Sequence, residues 1–107
     1  MFNTFFKKSY DDLNGVEFRK NFETDSNALL IDVRTPSEYF SGTIPGAVNM
    51  DIMSYDFHDK ISALDKNKTY YVFCRSGNRS AQACSIMSEL GLKTYNLAGG
   101  IGAWPFN

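Results

Sequence analysis

The chain has little of several things that would otherwise decide its class. Two cysteines in 107 residues are too few for the disulfide lattice of a small secreted domain. The lone histidine, His58, has no neighbours at ligand spacing, so it reads as a surface helix residue and no metal is expected. A formal net charge of -1 provides no cationic excess for a nucleic-acid backbone, and any anion recognition must be local. No apolar run is of membrane length, and Lys7 and Lys8 follow the short N-terminal apolar stretch instead of preceding it, which argues against a secretory leader. These absences predict no nucleic acid, no membrane, a cytoplasmic location that keeps thiols reduced, and a monomer by default.

Apolar residues make up 43% of the chain. That suffices for one core at this length and not for a second, so residues 1–107 are expected to form a single domain. There are no repeats and no low-complexity tracts.

The punctuation along the chain alternates helices with strands. Asn14 with Glu17 three residues on, flanked by Leu13 and Phe18 as a hydrophobic staple, starts a helix from Gly15 to roughly Phe22. Ala28-Leu29-Leu30-Ile31-Asp32-Val33 is a near-continuous apolar run, the pattern of a parallel strand covered on both faces. Thr35-Pro36-Ser37-Glu38 is a capping box with proline at the first helical position, and Gly42 stops the short helix that follows. Residues 44–46 read as a turn, 47–50 as a short strand, and 54–64 as a helix of weak period. Asp65 to Lys68 forms a polar connection into the strand Thr69-Tyr70-Tyr71-Val72-Phe73. A helix over residues 80–90 puts Ala83, Ile86, Met87 and Leu90 on one face and ends at Gly91; residues 94–97 form a last strand before Gly99-Gly100 and Trp104. The predicted fold class is α/β, a small parallel β-sheet flanked by helices on both faces, with right-handed crossovers.

Between the strand ending at Phe73 and the helix beginning at Ser80 lies Cys74-Arg75-Ser76-Gly77-Asn78-Arg79. Ligands of open α/β sheets bind beyond the carboxyl ends of the strands, and a helix N-terminus presents unpaired N–H groups to anions. A cysteine placed there is expected to be largely thiolate, because helix N-termini and nearby arginines lower its pKa. A lone cysteine after an apolar strand is more often a buried hydrophobe; the arginines and Gly77 argue otherwise for Cys74. For Cys84, a helix residue without charged neighbours, the hydrophobe reading stands. A Cys74–Cys84 bridge is disfavoured, since Cys84 lies some 6–7 Å further along the helix axis.

Loop length separates two chemistries. Cysteine phosphatases have a similar arrangement but place arginine six positions after the cysteine; here that position is Ser80, and Arg79 comes one residue early. The ring of amides is therefore expected to be tighter, sized for one large atom.

The loop resembles the six-residue active-site loop of rhodanese-type sulfurtransferases. So do the stretches around it: residues 30–34 (Leu-Ile-Asp-Val-Arg), Glu38-Tyr39, residues 42–49 (Gly-Thr-Ile-Pro-Gly-Ala-Val-Asn), and Gly99-Gly100 followed by Trp104. The resemblance covers about residues 28–104 and departs at Thr43, where the family usually has histidine; the effect is expected on packing or the rim. It implies a rhodanese-like fold and a Cys74 nucleophile that takes sulfur from thiosulfate or a similar small anionic donor. A persulfide forms, and a thiol, cyanide or protein acceptor removes the sulfur, with no cofactor. The amides of Arg75, Ser76, Gly77, Asn78, Arg79 and Ser80 would hold the persulfide, Gly77 supplying backbone freedom, while Arg75 and Arg79 hold the donor's sulfonate. Asp32, Arg34 and Glu38 read as structural: Glu38 caps its helix and Asp32 pairs with Arg34. The rivals are a cysteine phosphatase or arsenate reductase, and a non-catalytic or sulfur-carrier module.

Overall fold

Five parallel strands form one sheet in the computed structural model of the chain, which describes residues 8–107. Lys7 and the apolar stretch before it lie outside the described residues. The strands are β1 (Asp11–Leu13), β2 (Ala28–Asp32), β3 (Val48–Asn49), β4 (Thr69–Phe73) and β5 (Lys93–Leu97), in the order β1-β5-β4-β2-β3. The helices are α1 (Gly15–Thr24), α2 (Pro36–Ser41), α3 (Phe57–Ser62) and α4 (Asn78–Glu89), and a 3-10 turn spans Ile101–Ala103. No described helix is long and apolar enough to cross a membrane.

Strand geometry turns the apolar runs of β2 and β4 into two cores. Successive side chains point to opposite faces. Ile31, Val33, Tyr70, Val72 and Cys74 therefore pack with Phe57 and Ile61 of α3 and with Ala83, Cys84 and Met87 of α4. Leu30, Tyr71, Phe73 and Leu97 pack on the other face with Phe18 of α1, Ile44 and Trp104. The expected sheet covered on both faces is what these two clusters build.

Helix punctuation holds where side chains supply it. The Asn14 side chain accepts from the Glu17 amide, and Thr35 with Glu38 forms a complete capping box. α4 closes in a Schellman motif, with Gly91 N–H bonded to Ser88 O and Leu92 N–H to Met87 O.

Three expectations need correction. β1 has no counterpart in the sequence reading: its two aspartates at an exposed sheet edge lack the apolar signal of a strand, yet it pairs in parallel with β5. α3 begins only at Phe57, because residues 51–56 form turns in which Asp51 and Asp56 side chains bond to nearby groups. α4 begins at Asn78, two residues early, so the last part of the loop is the helix's own first turn.

The strand order fixes where a ligand belongs. From β2 the chain runs outward to β3 at one edge, and from β4 it runs to β5 on the other side. The crevice between these departures opens at the carboxyl ends of β2 and β4. Asp32 is in register with Phe73 there, which puts residues 33 and 34 beside Cys74 and its loop.

Candidate active site

Cys74 follows β4 directly and is fully enclosed, at 0% exposure. Its Sγ accepts two hydrogen bonds, from the Gly77 N–H at 3.1 Å and from the Ser80 hydroxyl at 3.3 Å. Both donors come from the start of α4. Gly77 is the N-cap, at φ +103°, a left-handed conformation that a side chain would strain. Its carbonyl is held by the Asn96 Nδ2 at 3.3 Å, and Asn96 is anchored in turn by Asp12 of β1 at 2.9 Å.

The Gly99-Gly100 motif backs the loop from beneath. Ile101 N–H donates to the Cys74 carbonyl at 2.8 Å. A Cβ on Gly100 would stand 1.9 Å from the Arg75 carbonyl oxygen, so two backbones touch at a place only glycine allows.

Burial alone would raise the Cys74 pKa, and it is the largest single influence on it. The Ser80 hydroxyl and the amides of Ser80, Gly77 and Ser76 together outweigh it, and the thiol lies below its ordinary pKa. The lowering has a cause closer than the arginines: hydrogen bonds to the sulfur itself.

Arg75, Ser76 and Asn78 are exposed, Arg79 is half-buried, and Gly77 and Ser80 are buried. The two loop arginines differ. Arg75 has no ion-pair partner among the described residues, whereas Arg79 forms a two-pronged pair with Glu38, Nη1 to Oε1 at 2.7 Å and Nη2 to Oε2 at 3.0 Å. Glu38 thus does more than cap α2, and its carboxyl is pulled down to about 2, first by Arg79 and then by Thr35 against the effect of burial.

Asp32 and Arg34 form the expected ion pair, buried, with Arg34 Nη2 2.7 Å from Asp32 Oδ2. The same carboxylate accepts from the Arg34 amide and from the Thr43 hydroxyl at 2.8 Å. Thr43 is thus a polar support of the β2 terminus. Asn49 Nδ2 braces the carbonyls of Asp32 and Arg34 from β3.

Cys84 is enclosed on α4 and its thiol is pushed up to about 12 by burial. Both cysteines are free. His58 is exposed on α3, and Trp104 is buried against Phe18 and Phe22. Sequence reading missed Asn96, Asp12 and the Glu38–Arg79 pair. The one available signal was Asn96 itself, a polar residue between Tyr95 and Leu97 in a strand.

Comparison with known proteins agrees with this geometry. The family described as Rhodanese-like domain matches residues 15–105. A Bacillus subtilis protein provisionally named as the sulfurtransferase YtwF is 40% identical over 93 residues, 87% of this chain and 88% of that protein. The thiosulfate sulfurtransferase PspE of Escherichia coli is 37% identical over 71 residues, covering 66% of this chain and 68% of its own. Among solved structures, a rhodanese-like domain protein from Staphylococcus aureus superposes with a TM-score of 0.78 at 27% identity, over 89% of this chain and 91% of the other.

Proposed function

Because the chain belongs to the rhodanese-like domain family, we propose that it moves sulfane sulfur from a small anionic donor to a thiophilic acceptor through a persulfide on Cys74. Family membership and relatives named as sulfurtransferases at 37–40% identity support sulfurtransferase activity. The donor class, the acceptor class and the persulfide are our own reading. The observation that carries it is the Cys74 sulfur, which accepts hydrogen bonds from Gly77 and Ser80 and has a lowered pKa at the carboxyl end of β4.

In this reading the Cys74 thiolate attacks the outer sulfur of thiosulfate. A new S–S bond forms, the S–S bond of thiosulfate breaks, and sulfite departs with the bonding pair. The persulfide's terminal sulfur carries the negative charge, and the amides of residues 75–80 surround it. An acceptor such as cyanide, a thiol or a protein thiol then attacks that sulfur, and Cys74 leaves as thiolate. No general base is required when the thiolate is already formed, and the lowered pKa of Cys74 favours that form. Exposed Arg75 is the cation that meets the donor's sulfonate first.

Treated with thiosulfate, the protein is expected to gain the mass of one sulfur atom, which cyanide removes, and to leave an aryl phosphate intact. Phosphate ester turnover without sulfur loading would overturn the assignment. Loading without turnover against any acceptor would replace the enzyme with a carrier.

A further inference from the structure

The Glu38–Arg79 pair joins two elements far apart in sequence. Arg79 sits in the first turn of α4, directly before Ser80, whose hydroxyl bonds the Cys74 sulfur. Glu38 reaches it from α2, and its Oε1 also accepts from the Thr35 amide and hydroxyl, both at 3.1 Å. The guanidinium is therefore held along its edge by a carboxylate that is itself fixed. The low pKa of Glu38 keeps that carboxylate charged through the neutral range.

The pair is 28% exposed on the arginine side and 29% on the glutamate side, and the Arg79 charge interacts with Cys74 and Asp32. Asp32 and Arg34 cancel one another beside it. The loop alone would show a donor two positive charges; with Glu38 in place it shows one, that of Arg75.

We infer that Glu38 is a specificity-determining residue: by neutralising Arg79 it lowers the positive charge at the cradle and favours sulfur donors of low charge over dianions. The inference rests on the persulfide reading of Cys74, and its test tells the two apart. Thiosulfate, a dianion, and methanethiosulfonate, a monoanion, deliver the same outer sulfur to Cys74, with sulfite or methanesulfinate leaving with the electron pair. Glu38→Gln keeps an oxygen for the Thr35 amide and hydroxyl and removes the charge together with the acceptor that Arg79 Nη2 uses. It is expected to raise kcat/KM for thiosulfate relative to methanethiosulfonate roughly three- to tenfold. Arg79→Gln leaves Glu38 without its counter-charge and is expected to move the ratio below that of the wild type, with the double variant returning close to it. This second variant also measures the effect if Glu38→Gln does not fold. A ratio unchanged in both single variants, or equal losses for the two donors, would make the pair a purely structural tie and overturn the inference alone. Wild-type protein that takes sulfur from neither donor would overturn it together with the persulfide reading.

Discussion

The two ends of one structural path hold the two cysteines, and they are alike in everything except what touches the sulfur. Cys74 lies in the loop between β4 and α4 and Cys84 inside the helix; both have 0% exposure and both belong to the same apolar cluster. Yet the first thiol is below its ordinary pKa and the second is pushed up to about 12. Burial is the largest influence on each and acts in the same direction. The difference is that the helix N-terminus still has N–H and hydroxyl donors to spend on a sulfur, whereas one turn further in the amides are committed to the helix. The thiol pKa here follows position along the backbone, not depth.

The largest test of that contrast exchanges the two sulfurs in turn. Cys74→Ser is expected to reduce sulfur loading to the background rate, and Cys84→Ala to leave it unchanged, both read by mass spectrometry after thiosulfate treatment. Equal losses would mean a dithiol mechanism and would dissolve the distinction.

A smaller effect is expected from Ser80→Ala, which removes a hydrogen bond to the ionised sulfur while leaving the amides. Such bonds contribute about 1.5–3 kcal/mol, so loading at neutral pH should slow by about tenfold or more. The acid limb of the rate profile should move to higher pH, because the Cys74 pKa climbs back toward its ordinary value. A slower rate with an unmoved limb would show that Ser80 only packs.

At neutral pH, where the other two tests are read, the smallest effect is in stability, and it emerges only in alkali. Cys84 titrates at 9.0 when unfolded and at about 12 when folded, so between those values the native state holds a proton that the unfolded chain has lost. Stability contributed by this group is complete below pH 9 and falls as pH rises toward 12, by about 1.4 kcal/mol per pH unit at most. Cys84→Ala should flatten that alkaline loss in urea titrations. The Cys74 contribution has the opposite sign, growing with pH from its lowered native pKa up to the unfolded value.

How far the sequence alone reveals this arrangement depends on where each signal resides. The apolar runs of β2 and β4, the Thr35 capping box and the loop itself are contiguous, and each was legible because its cause lies within a few residues. The start of α4 was misplaced because Gly77 caps it through backbone conformation and has no side-chain capping bond. β1 was missed because its reason to exist is a partner strand and the Asp12–Asn96 contact 84 residues away. Glu38 and Arg79 are 41 residues apart, and no local pattern announces their pairing. The position of Cys74 at the end of β4 is therefore legible in the sequence, and the long-range contacts around it are not.

The outer strands of the sheet contain only three residues at β1 and two at β3, while β4 sits innermost with a ladder on either side. Fraying at either rim leaves β4 with both of its ladders, so amide hydrogen exchange should be fast at both rims and slowest in the strand that leads into Cys74. Edges this short, one of them lined by Asp11 and Asp12, also give a foreign strand almost nothing to pair with. The looseness of the sheet is thus confined to its rims, from which Asp12 and Asn49 reach inward to Asn96 and to the carbonyls of Asp32 and Arg34.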